Sequence, residues 1–294
     1  MKNILYPILI SILLISSCRN SDKGEGLLEF PDNSTLANDM ASNQARVFSL
    51  PSPYQVSSII KLTGIQYQSD IVEFPKKQKS MYASPEFKSI NLGISLVDLY
   101  YCTIYEQYGN SLFFMKKVDN LMSELGLKNQ NIEKLQRRAQ NNYMNKDSLY
   151  KFMSIYQQNF EQFYSTSEEK QKTFLIVSGI YIEGLYTMTQ IYKESFKAQT
   201  LTMFMEKSFN NSVLQQTIFL NNLIEILESY NDKRLEKIIN RFKDLQKLFE
   251  NINIDYKIGK DKEITDVKLR MNNVIQINEM VSKIREEIIL EKIK

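Results

Sequence analysis

The chain has 294 residues, of which 43% are hydrophobic and 24% are charged, and its formal net charge is +3. It contains no His and no Trp, which excludes His-based catalytic triads, His-ligated zinc sites and Trp platforms for sugars. Two Cys cannot build a disulfide framework or a four-Cys zinc site, and the near-neutral charge argues against a nucleic-acid partner.

The first 17 residues have the pattern of a secretory signal peptide. Lys2 is followed by a mostly apolar run over 4–15, which is too short to cross a membrane, since a spanning helix needs about 20 apolar residues. The segment Ile15–Cys18 (ISSC) resembles the bacterial lipobox, in which an aliphatic residue and two small residues precede the lipidated Cys. We therefore expect a diacylglycerol and an N-acyl chain on Cys18; the alternative is an ordinary signal peptide with a chance Cys.

The residues after Cys18 predict where the protein is anchored. Arg19 follows the Cys, rather than the Asp that holds some lipoproteins at the inner membrane, so we expect anchoring at the outer membrane, on either its periplasmic or its surface face. The stretch 18–33 is polar and contains Gly and Pro, which predicts a flexible lipidated tether. The remaining residues, 34–294, are expected to form a single domain.

Beyond the tether, apolar residues recur mostly at spacings of three and four, which is typical of amphipathic helices. We expect helices over 34–49, 54–62, 86–108, 110–125, 132–142, 147–164, 166–196, 199–209, 212–230, 233–251 and 266–293. A long loop is expected over 65–85 and a polar turn region over 253–265. No sheet is expected, because no alternating run bounded by hairpin signals stands out. The pattern predicts an all-α fold of antiparallel helical hairpins, arranged as one irregular bundle or a short α-array.

Some polar residues lie within the most apolar predicted helices. Asn91 and Asp98 are seven residues apart and therefore near one face of their helix, and Glu183 lies within another apolar segment. A buried carboxylate needs a partner, and the candidate donors are the nearby hydroxyls of Tyr100, Tyr101, Tyr181 and Tyr186. The same two helices contain small residues, Gly93 and Ser95 in one and Ser178, Gly179 and Gly184 in the other. Since Gly inside a helix costs about 1 kcal/mol relative to Ala, we expect the two helices to pack closely together in the core.

The polar group formed by Asn91, Asp98, Tyr101, Tyr181 and Glu183 has three interpretations. It is a satisfied core network that fixes helix register, a polar pocket for a small molecule, or an acid–base pair in which Asp98 faces Glu183. No second motif supports catalysis, and the spacing of Asp and Glu does not match a calcium loop, so we expect no catalytic residues and no metal. No cofactor is expected apart from the lipid on Cys18.

Several segments resemble a family of all-helical lipoproteins of Bacteroidota that has no assigned activity. The matching segments are 52–58 (SPYQVSS), 67–71 (YQSDI), 90–101 (INLGISLVDLYY), 181–186 (YIEGLY) and 220–228 (LNNLIEILE). The resemblance implies an all-helical lipoprotein and supplies no catalytic residues.

The sequence thus predicts a non-enzymatic cell-envelope lipoprotein that binds a protein partner or supports an envelope assembly. The alternative is a lipoprotein that holds a small molecule between helices near Asp98 and Glu183. The last predicted helix is amphipathic with mixed charges, and we expect it to pack on its own domain, with a partner helix as the alternative.

Overall fold

The computed structural model describes residues 60–61, 65–77, 82–128, 130–145, 147–152, 170–252, 254–258 and 264–293. The predicted signal peptide, lipidated Cys18, tether and first helix lie outside the described residues. All described residues belong to one compact unit, Arg46–Lys294. In chain order the helices whose two ends the structure describes are α1 Asp70–Lys77, α2 Pro85–Ile104, α3 Tyr108–Glu124, α4 Gln130–Asn141, α5 Lys170–Lys197, α6 Met203–Ser229, α7 Glu236–Glu250 and α8 Met271–Ile289, with a short 3₁₀ helix, Lys233–Leu235, before α7. Residues 147–152 are also helical.

The fold is all-α, as the sequence predicts. Helices α2 and α5 make the most extensive contact between two elements and form the centre of the core. Around them, α3 packs against α2, α8 packs against α5 and α2, and α6 packs against α5 and α7. The final helix therefore packs on its own domain, with Val274, Ile277, Val281, Ile284 and Ile288 buried on its inner face.

Among the described residues, α5 alone is long and apolar enough to cross a membrane by length and composition. Within its most apolar window, however, 89% of the residues are buried inside the protein. This burial is typical of the central helix of a core that is covered on all sides.

Helix ends follow local chemistry that is visible in the sequence. Pro85 begins α2, and the Ser84 hydroxyl accepts a hydrogen bond from the Phe87 amide at 3.3 Å. Gly126 follows the C-cap of α3 with a φ of 72°, because a residue in the left-handed region is most easily Gly. Asp232 caps the turn before α7, where its carboxylate accepts from the Arg234 amide at 3.0 Å.

Four predicted segments differ from the structure, and three of these differences concern helices. The predicted loop 65–85 contains α1, whose buried residues Ile71, Val72 and Pro75 face the core. The predicted break near residue 210 is wrong, because α6 continues through it; Asn and Ser lower helix propensity only slightly and no Gly or Pro interrupts the chain. The predicted break at Gly109 lies one turn earlier, at Glu106, whose φ is 57°.

The last difference is a β-hairpin before the final helix. Strands β1, Ile254–Ile258, and β2, Ile264–Leu269, pair antiparallel, with Ile254 opposite Leu269 and an irregularity between Lys257 and Ile258. The predicted absence of a sheet and the helix start at 266 are therefore wrong, since α8 begins at Met271. The segment IDYKI alternates between apolar and polar residues throughout, and ITDVKL does so from Asp266 onward, which is the signal for a strand.

Candidate functional site

The predicted close packing of α2 and α5 is confirmed, and it depends on two glycines. A Cβ on Gly93 would lie 1.9 Å from the Ile176 carbonyl oxygen, and a Cβ on Gly179 would lie 1.9 Å from that of Ile90. Each glycine therefore lies directly against the backbone of the opposite helix. The hydroxyl of Ser95 donates to the Asn91 carbonyl at 2.8 Å, so its polar group is satisfied within its own helix at this crossing.

Glu183, on α5, is fully buried and forms an ion pair with Arg285 of α8. The pair is bidentate: Nε of Arg285 donates to Oε2 at 2.5 Å, and Nη2 donates to Oε1 at 2.9 Å. Two parallel hydrogen bonds to a carboxylate are the strongest arrangement that a guanidinium makes. The pair therefore joins the central helix to the C-terminal helix inside the core.

The Arg285 guanidinium has further partners that hold it in place. Nη2 donates to the Ile71 carbonyl at 3.2 Å, and the group lies 4.2 Å from the centre of the Tyr186 ring and 5.7 Å from that of Phe74. Both rings present a π-face to a cation, which favours the charged group in the absence of water. The side chain is thus held by a carboxylate, a carbonyl and two rings.

Asp98, on α2, is 1% exposed and interacts electrostatically with both Glu183 and Arg285. Its two carboxyl oxygens accept no hydrogen bond from any described residue. Burial, and next the nearby Glu183 carboxylate, raise the pKa of Asp98 well above its usual range, against the opposing pull of Arg285 and Lys117. The neutral form of Asp98 is therefore favoured over its carboxylate.

Lys117, on α3, is the second buried cation near Asp98. Its Nζ donates to the Pro75 carbonyl at 3.4 Å. Burial lowers the pKa of Lys117, while Asp98 and Glu183 act in the opposite direction. We call the four residues Asp98, Lys117, Glu183 and Arg285 the buried charge cluster. Both of its cations bind backbone carbonyls of α1, so the cluster also fastens α1 to the core.

The other predicted site residues make their hydrogen bonds outside this cluster. The amide of Asn91 donates to the Phe87 carbonyl at 2.9 Å and to the Ile288 carbonyl at 3.4 Å, which links α2 to α8. The Tyr181 hydroxyl donates to the Gln216 carbonyl of α6 at 3.3 Å. These contacts make both residues part of the packing between helices.

Tyr101 contributes to a separate aromatic group at the end of α2. Its hydroxyl accepts from the Gln68 amide at 2.9 Å, and its ring stacks on Tyr67 with centroids 5.3 Å apart. The Tyr105 hydroxyl donates to the Ile65 carbonyl at 2.7 Å. The group holds 65–68 against α2. The prediction that Tyr101 donates to Asp98 or Glu183 is therefore wrong.

Two members of the buried charge cluster, Arg285 and Lys117, were not predicted. A signal existed for Arg285, because it occupies the apolar face of its helix, four residues after Val281 and three before Ile288. Lys117 lies between buried Met115 and Val118, but its register on the helix gives a weaker signal.

The cluster brings two carboxyl groups and two basic groups together in the core, where Glu183 and Arg285 form an ion pair. Among the described residues no group of three or more Cys, Asp and Glu is arranged to hold a metal ion. In comparisons with known proteins, no family model, no curated protein and no solved structure matches this chain. The resemblance to helical lipoproteins of Bacteroidota therefore stays a prediction from the sequence.

Proposed function

We propose that this protein is a cell-envelope lipoprotein, anchored at the outer membrane through Cys18, whose role is binding or assembly rather than catalysis. The anchor is supported by the lipobox pattern alone. Two observations support a role other than catalysis: the sequence contains no His, and both members of the predicted acid–base pair, Asp98 and Glu183, are buried in the core.

The observation that carries this proposal is the bidentate pair between Glu183 and Arg285. A general acid or base must reach a substrate proton directly or through one water. Both oxygens of Glu183 instead accept from one guanidinium in a side chain that is fully buried. This arrangement favours the interpretation of Glu183 as part of a core network over the catalytic one.

The anchor is tested by metabolic labelling with palmitate in the native host or a related bacterium. Wild-type protein should incorporate label, and Cys18→Ala should incorporate none, because the thiol that accepts the lipid is gone. Cys102→Ala is the matched control and should label like wild type, since Cys102 is buried. Labelling that persists in Cys18→Ala would overturn the lipobox assignment.

The assembly role is tested by native mass spectrometry of protein extracted gently from its own membrane. A polypeptide that is bound at a fixed stoichiometry supports the proposal. The bare lipidated mass, together with a single monomeric band after chemical cross-linking in whole cells, would count against it.

A second candidate function, small-molecule binding beside the buried charge cluster, is favoured by orphaned polar atoms. The Asp98 carboxyl oxygens and the Tyr82 hydroxyl are buried without a hydrogen-bond partner among the described residues. Buried polar atoms are usually satisfied, so a polar ligand is one way to complete them. The same mass spectrum should then show an extra mass of a few hundred daltons beyond the lipid. That mass should disappear in Asp98→Ala and weaken in Tyr82→Phe; its absence from wild type contradicts this function.

A further inference from the structure

We propose that the turn between α5 and α6 inserts into the surface of a lipid bilayer. Three large apolar side chains are exposed there: Phe196 at 52%, Met203 at 86% and Phe204 at 69%. Phe196 lies in the last turn of α5, and the other two begin α6. Exposed apolar groups concentrated at one site commonly mark an interaction surface.

The three side chains lie at one end of the domain because α5 and α6 form an antiparallel hairpin. Tyr192 stacks on Phe209 with ring centroids 3.9 Å apart, and further from the turn Tyr181 bonds to Gln216. Residues that come earlier on α5 thus contact residues that come later on α6, as in any antiparallel pair of helices. Residues 196–204 therefore form the tip of the hairpin. We call these residues the hairpin tip.

The hairpin tip is ordered by its own hydrogen bonds, which suits an apolar environment. The amide of Gln199 donates to the Phe196 carbonyl at 3.1 Å, and that of Thr200 donates to the Ser195 carbonyl at 3.0 Å. The Thr202 hydroxyl accepts from the Met205 amide at 3.2 Å. Backbone groups that enter the bilayer region without a partner are strongly unfavourable, and these have partners already.

The charges around the hairpin tip match a lipid surface better than an apolar protein groove. Lys197 and Lys207 are exposed on its two sides; Lys197 pairs with Glu194 at 3.0 Å, and the acidic Glu206 precedes Lys207. The long stems of the two lysines allow the ammonium groups to reach headgroup phosphates while the apolar side chains insert. Beneath the tip the protein itself is apolar: Leu201, Met205 and Phe209 line a small pocket that has almost no polar surface. An apolar tip with a rim of lysines is typical of an interfacial membrane contact.

This inference rests on the proposed lipid anchor, which keeps the domain at a high local concentration next to the bilayer. A tethered domain meets the bilayer far more often than a free one. The anchor holds the chain near the membrane, and the hairpin tip sets the orientation of the domain.

The test measures the depth of a spin label in the full lipidated protein, reconstituted in phosphatidylethanolamine and phosphatidylglycerol vesicles. Labels are placed at Met203→Cys on the hairpin tip and at Lys237→Cys, an exposed position on α7, as the matched control. In vesicles the label at 203 should become severalfold less accessible to a water-soluble nickel chelate and more accessible to oxygen. The label at 237 should stay accessible to the nickel chelate. A label at 203 that remains as accessible to nickel as that at 237 would overturn the proposal.

Two further variants show whether the protection depends on the hairpin tip itself. Phe204→Ser in the Met203→Cys background should reduce the protection, whereas Ile218→Ser, which removes an exposed apolar side chain elsewhere on α6, should leave it unchanged. Spin–spin broadening that disappears on dilution with unlabelled protein would identify a second copy as the occupant and overturn the bilayer proposal. If the protein does not float with vesicles, the lipid anchor is wrong. In that case the accessibility of the label at 203 is measured again after vesicles are added to the protein. Protection of the label from the nickel chelate then supports insertion of the hairpin tip, and unchanged accessibility overturns it.

Discussion

The glycine crossing between α2 and α5 gives the sharpest prediction about stability. In Gly93→Ala the new Cβ would lie 1.9 Å from the Ile176 carbonyl oxygen and 2.8 Å from the Ile180 amide nitrogen. Carbon and carbonyl oxygen approach to about 3.3 Å at contacts between helices, so the helices must separate by roughly 1.4 Å. Neither contact atom can move alone, because both belong to the helix backbone.

The expected loss of stability combines two opposing terms. Overpacking of a tight core typically costs about 1–3 kcal/mol and occasionally more, and an opened gap of this size also loses dispersion contacts along both helices. The better helix propensity of Ala returns at most about 1 kcal/mol. We expect Gly93→Ala to lower the free energy of unfolding by about 3 kcal/mol, which is a large part of the 5–15 kcal/mol that is common for a domain.

Urea unfolding of the full-length protein, followed by circular dichroism, measures this change. Gly109→Ala, on α3, is the matched control, because a Cβ added there would meet no atom of the described residues within 4 Å beyond its local backbone. It should leave stability unchanged or raise it by up to about 1 kcal/mol. Gly179→Ala should resemble Gly93→Ala, and the double variant should lose less than the sum of the two, since one separation relieves both clashes. A Gly93→Ala protein within about 0.5 kcal/mol of wild type would refute the crossing geometry.

Three other predictions concern the buried charges and the thiol. Glu183→Gln should lower stability by about 3–5 kcal/mol in urea unfolding, because it leaves the Arg285 cation buried without its counter-ion, and a loss below about 1 kcal/mol would contradict the pair. For Asp98, whose pKa is raised by burial and then by Glu183, the folded state holds a proton that the unfolded state releases above about pH 4. The contribution of Asp98 to the free energy of unfolding should therefore fall by up to about 1.4 kcal/mol per pH unit, from about pH 4 up to the raised pKa. Asp98→Asn should remove this decrease from the plot of unfolding free energy against pH. Parallel plots for the variant and the wild type would contradict the raised pKa. Burial raises the pKa of the Cys102 thiol, so iodoacetamide at about pH 8 should modify it only after urea is added, as peptide mass mapping would show, and rapid modification of the folded protein would be inconsistent with its burial.

Much of the fold could be predicted from the sequence because it depends on local patterns. The apolar stripe of α7, with Ile238, Ile239, Phe242, Leu245 and Phe249 all buried, repeats at helical spacing and predicts both the helix and its inner face. Gly93 and Gly179 predicted a close approach of two helices, since nothing else compensates for glycine within an apolar helix.

Sequence patterns were therefore enough to predict the all-α class, the pairing of the two central helices and the burial of Asp98 and Glu183. The partners of those carboxyl groups became visible only in the folded chain. Arg285 lies 102 residues after Glu183, and a pattern of charges along one helix does not reveal which residue of another helix faces it. Likewise, the sequence contained Phe196, Met203 and Phe204, but apolar residues at helical spacing normally predict core. Their exposure follows from the position of the α5–α6 turn at the end of the hairpin, where no described helix covers them.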